Sequence, residues 1–188
     1  MNAEQKLVKL IEDLATNSFK DHIIKEELNQ GVFRSFLCRR ELSNIYMFRV
    51  TTIPGRLIVT GDIGTLVVER MYDMFEWAPS AINDLNYFAE KVPHEIVTRE
   101  FCQDVAREWV DEQQEEDGAD IAELELLLAS LEDFTGPDVF NLAVYESGVC
   151  DGCDMPDFRN WKPSFLWCRE AVKWFFNNAT SEQLKASE

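Results

Sequence analysis

Apolar residues near the start of the chain recur at helical spacing. Leu7, Leu10, Ile11 and Leu14 fall three and four residues apart, which sets them on one face of an amphipathic helix. Ile23, Ile24 and Leu28 continue the period after Asn17 and Ser18, where a polar side chain can cap a new helix. A second short helix ending at Gly31 is therefore expected. From residue 32 to residue 68 the period changes to two. The runs VFRSFLCRR, IYMFRVTTI, GRLIVTG and IGTLVVER are short and rich in β-branched and aromatic residues. Turn chemistry at 42–44, at Pro54 and Gly55, and at Gly61 and Asp62 separates them. Phe33, Ser35, Leu37 and Arg39 face one way, while Arg34, Phe36, Cys38 and Arg40 face the other. The simplest arrangement is a meander of four antiparallel strands.

After Tyr72 the helical period returns. Asp73 caps a helix through Trp77, Ile82, Leu85 and Phe88, with Pro79 early in it or marking a break, and Pro93 stops it. Thr98 opens a helix carrying Phe101, Cys102, Val105, Trp109 and Val110. Asp120 caps Ile121, Leu124, Leu127, Leu128 and Leu131, and Pro137 starts a short helix through Phe140, Leu142, Ala143 and Tyr145. Residues 148–162 read as a loop, 164–177 as a docked apolar helix, and the final SEQLKASE as a frayed tail. The expected fold is α+β over residues 1–188 as a single domain. It has a four-stranded antiparallel β-meander near the N-terminus packed with helices, and a mostly helical C-terminal half.

Composition supports a packed core. Of 188 residues 46% are hydrophobic, with thirteen Phe and five Trp, enough to fold without disulfides. The early residues lack an apolar run of signal-peptide type, and no run is long enough to span a bilayer. A cytoplasmic location is expected, with Cys38, Cys102, Cys150, Cys153 and Cys168 reduced and the sequon at Asn178 unused. Net charge is −17, from 35 acidic and 18 basic residues. Such a surface repels nucleic-acid phosphates, so direct DNA or RNA binding is not expected. Arg34, Arg39, Arg40, Arg49 and Arg56 are interleaved with apolar residues and read as the solvated face of a sheet.

The acidic residues are concentrated. Thirteen carboxylates fall within residues 100–133 against one base, Arg107. Glu108, Asp111, Glu112, Glu115, Glu116, Asp120 and Glu123 form the candidate partner-binding face. Like charges three or four apart on a helix repel, and a basic groove would relieve that repulsion, the carboxylates standing where phosphates otherwise lie. The bland alternative is a solubilising face. Cys150 and Cys153 form a C-x2-C pair with only Cys168 downstream, and both histidines, His22 and His94, are far upstream. A structural zinc site needs four ligands, so plain thiols are expected and no cofactor is implied. Asp151, Asp154 and Asp157 lack the terminal Glu of a calcium loop. Phosphate-binding glycine loops and metalloprotease or hydrolase motifs do not occur. Trp77, Trp109, Trp167 and Trp174 read as core, and Trp161 as exposed.

Several segments carry a resemblance: CRR at 38–40, PGRL at 54–57, TGDIG at 60–64, DMFEWA at 73–78 and YFAEKV at 87–92. Over residues 36–78 and 87–92 the chain resembles a group of small uncharacterised acidic proteins encoded by bacteriophages and prophages. That resemblance implies an accessory protein made in the bacterial host cytoplasm, and no activity. With the acidic concentration it leads to an expected function: a non-enzymatic binding protein that inhibits or modulates a host nucleic-acid-handling or anti-phage defence complex. The expected partner is a basic host protein or ribonucleoprotein. Two alternatives are a metal-assisted nucleotide hydrolase built on carboxylates such as Asp62 and Asp73, and a self-associating structural phage component.

Overall fold

The computed structural model describes residues 1–116, 120–150 and 157–185. The chain divides into two compact units: Val8–Thr98 with Lys162–Glu188, and Met1–Leu7 with Arg99–Trp161. We call them the sheet unit and the helical unit.

In the sheet unit β1 (Ile23–Gln30), β2 (Phe33–Arg40), β3 (Ser43–Ile53), β4 (Arg56–Gly61) and β5 (Gly64–Glu69) form an antiparallel meander in chain order. The expected four strands are β2 to β5, and the expected α+β class holds. The fifth, β1, replaces the second short helix read from the sequence. It is an edge strand with nearly every side chain exposed, so it carries no inside–outside alternation to announce itself. Pairing with β2, from Ile23 opposite Arg39 to Gln30 opposite Phe33, overrides the local preference of Lys25, Glu26 and Glu27 for a helix.

The helix α1 (Ala3–Phe19) runs through the cap expected at Asn17 and Ser18. Thr16 Oγ1 donates to the Glu12 carbonyl at 2.8 Å and Asn17 Nδ2 to the Asp13 carbonyl at 2.9 Å, so these side chains turn back onto the helix and do not start a new one. Ile11, Ala15 and Phe19, four apart, form its buried stripe in this unit.

One sheet face is buried: Phe36 and Cys38, Phe48 and Val50, Leu57 and Val59, Leu66 and Val68 alternate into the core. It packs against α7 (Pro163–Asn178), with the Phe36 and Phe175 rings 5.0 Å apart. Arg34 shares this face and is only 2% exposed, so the solvated arginine row was misassigned at that position. Its guanidinium grips Asp73 with two bonds, at 2.7 and 2.9 Å, and lies 4.5 Å from the centre of the Phe75 ring. Asp73 caps α2 (Met74–Ala81) as expected, accepting from the Phe75 amide. The helix expected to reach Phe88 is two pieces, because Asp84 starts α3 (Leu85–Ala89) with a cap of its own. The described part of the tail expected to fray is folded. Thr180 and Gln183 form a reciprocal capping box that starts α8 (Ser181–Leu184), and Asn29 on β1 donates to the Lys185 carbonyl at 3.0 Å.

In the helical unit β6 (Arg99–Phe101) pairs antiparallel with β7 (Arg159–Trp161). Phe101 is therefore in a strand, and the expected helix starts after it as α4 (Gln103–Gln114), with Cys102 at the cap position. The segment read as a loop likewise contains β7. Trp161 is 2% exposed, contrary to expectation: the Arg99 guanidinium stacks on its ring at 3.8 Å and its indole N–H donates to Glu4 at 2.8 Å. α5 (Ile121–Ala129), a 3-10 turn at Leu131–Asp133 and α6 (Pro137–Ser147) complete the unit. Its core joins Ala106, Val110, Leu124, Leu127, Phe140 and Phe158, with the last two rings edge-on at 4.7 Å. Within the sheet unit, the Lys162 amide donates to the Thr98 carbonyl at 2.8 Å. The chain thus leaves for the helical unit and returns from it at adjacent points. Among the described residues no helix is long and apolar enough to cross a membrane.

Candidate functional site

Charge is divided very unequally between the units. The helical unit holds 19 acidic and four basic residues, a net charge of −15; taking these from 35 and 18 leaves 16 acidic and 14 basic residues in the sheet unit, a net of −2. Nearly all the excess acidity is therefore carried by the smaller unit.

Within it α4 carries the densest surface. At 3.6 residues per turn Asp104, Glu108, Asp111, Glu112 and Glu115 fall within an arc of about 100°, opposite the buried Ala106 and Val110. Asp111, Glu112, Glu115 and Glu116 are exposed, and no ion pair with a described residue engages them. They also crowd the C-terminal end of α4, where the helix dipole is negative and cations are favoured. The last turn holds no basic residue. The surface is thus unsatisfied twice over, by like-charge repulsion along the stripe and by the dipole at its end.

Glu108 differs from its neighbours. Lys6 Nζ donates to it at 2.7 Å and the Ala3 amide at 2.8 Å, and this pairing, led by Lys6, holds its carboxyl below the usual range. Asp120 is a helix cap, accepting from the Glu123 amide at 3.3 Å, and Asp117 lies outside the described residues. The acidic stripe does not extend over α5. Exposed there are Ile121, Ala122, Leu126 and Ala129 beside Glu125, so the outward face of α5 is largely apolar.

The other sequence candidates are occupied by structure. Cys168 is buried in the sheet unit, with its Sγ 3.9 Å from the Ile63 carbonyl, and burial pushes its thiol up to about 12. Cys150 is half-buried beside the core of the helical unit, and Cys153, Asp151 and Asp154 lie outside the described residues. Asp62 accepts from the Tyr46 amide at 3.1 Å, and Asp73 is held by Arg34, which keeps its carboxyl below the usual range. Among the described residues no three of His, Cys, Asp and Glu converge as metal ligands would.

The arginines of the sheet are mostly neutralised. Arg49 bonds Glu27 at 2.8 and 3.1 Å and Arg56 meets Glu69 at 2.6 Å.

A cleft of about 390 Å³ between α1 and α7 is lined in part by Glu12, Glu170 and Lys173. Burial raises the pKa of Glu170. Arg169 donates to Glu170 at 2.7 Å and to the Ile82 carbonyl at 3.0 Å, and Lys173 approaches both Glu12 and Glu170. This is a closed, charge-balanced network of two cations and two carboxylates. Sequence reading gave no sign of it, because Glu12 lies 161 positions from Lys173.

No protein-family model matches the chain, and no match is found among curated proteins or solved structures.

Proposed function

We propose that this chain is a non-enzymatic binding protein whose acidic helical unit docks onto a basic protein or ribonucleoprotein. The class of target is one that handles nucleic acid in a bacterial host or defends it against phage, and docking inhibits or modulates it. The observation that supports this reading is the separation of charge: −15 on one unit and −2 on the other. A chain made acidic only for solubility has no reason to place its charge so unevenly. A negative unit steers association with a cationic groove, and the paired state removes the repulsion that α4 carries alone.

The test is capture from a bacterial lysate on the immobilised chain, in low salt and then in roughly 0.5 M salt, where screening is nearly complete beyond contact distance. A basic protein or ribonucleoprotein should be retained at low salt and released at high salt. The triple variant Asp111→Asn, Glu112→Gln, Glu115→Gln should lose that capture while keeping its helical circular dichroism. Retention that ignores both salt and the variant would refute the reading.

A further inference from the structure

Between α5 and α6 the helical unit has an open groove of about 290 Å³. Leu127, Phe134 and Ala143 form its floor, and Glu123, Leu126 and Glu146 line its rim. Leu126 is 62% exposed. A large apolar side chain thus stands open to solvent beside a shallow, partly apolar floor, an arrangement that can accept a helix in protein recognition. Among the described residues that line the groove none is basic, and the unit around it carries −15.

We propose that this groove receives a cationic amphipathic helix from the partner protein. Its leucine-like side chains would enter the floor and its lysines or arginines would meet Glu123 and Glu146. Charge fixes the class of occupant. A second copy of this chain would bring Glu123, Glu146 and the same −15 against themselves, and a nucleic acid is excluded by the same sign. Length fixes its size: α5, at nine residues, is about 13 Å long, which matches two to three turns of a guest helix. The proposal rests on the reading that the helical unit docks onto a basic protein, and it adds the mode: apolar insertion guided by charge, not charge alone.

The probe is a fluorescein-labelled peptide of leucine and lysine about four turns long, with leucines at i, i+3, i+4 and i+7. Its control is a scrambled isomer of the same composition, and both are titrated by anisotropy against the full chain. The amphipathic peptide should bind at least about tenfold more tightly than the isomer. The variant Leu126→Asn changes only an exposed position and should keep its circular dichroism; it should abolish that preference. Glu146→Gln should weaken the amphipathic peptide. The α4 triple variant should weaken both peptides alike and leave their ratio unchanged. Equal binding of the two peptides, or a preference untouched by Leu126→Asn, would overturn the groove while leaving the acidic docking surface to its own test. A dimer by light scattering that Leu126→Asn dissolves would also overturn it, in favour of a second copy.

Discussion

Arg34 shows what a single residue can conceal. The strand alternation places it with Phe36 and Cys38, and the structure buries all three; only its charge argued for solvent. What resolves the conflict is Asp73, 39 residues away, a distance that no local pattern reports. The carboxylate serves twice, neutralising Arg34 and capping α2. Because Asp73 holds its proton less tightly when folded, the unfolded chain binds more protons at acid pH. The contribution of Asp73 is complete above the ordinary carboxylate range near pH 4 and is lost as pH falls through the lower folded value. Asp73→Asn should therefore cost about 3 kcal/mol at neutral pH, because it leaves the buried Arg34 guanidinium without its counter-charge. The gap to the parent protein should narrow below about pH 4. Urea melts across that pH range would measure both, and a gap independent of pH would remove the ion pair as its cause.

At the scale of elements, what was legible is what local chemistry alone decides. Strands β2 to β5 announced themselves by alternation, and Asp73, Asp120 and Pro137 marked helix starts that the structure keeps. The strands that were misread have a common cause in long-range partners. β1 is a strand because β2 pairs with it, and β6 because β7 does. The capping box at Thr180 and Gln183 was written in the sequence and could have been read there. The acidic stripe was equally legible, since its residues lie within one helix, but the internal use of Glu108 was not, because Lys6 is 102 positions away. The unfavourable end of α4 makes a prediction opposite to the usual effect of mutation. Glu112→Lys should raise stability by about 0.5–1 kcal/mol, by removing repulsion and complementing the dipole, while weakening partner capture. A gain in stability with no loss of capture would mark the stripe as idle.

At the scale of the molecule, the two units divide the labour of the sequence. The sheet unit holds a dense aromatic core with its charges nearly balanced, while the helical unit holds the unbalanced charge and the open groove. Thr98 and Lys162 are joined by one backbone hydrogen bond, so the intervening 63 residues, Arg99–Trp161, are topologically a single excursion. A Gly-Gly bridge could replace that excursion without moving either end of the sheet unit, since adjacent ends close cheaply whatever lay between them. With Met1–Leu7 removed as well, since they belong to the helical unit, the excised protein should keep its strand signal and a cooperative melt, yet elute from an anion exchanger far earlier than its parent. The chain can therefore be edited as a scaffold carrying a detachable electrostatic cargo, with attachment points adjacent enough for another passenger to be grafted in its place.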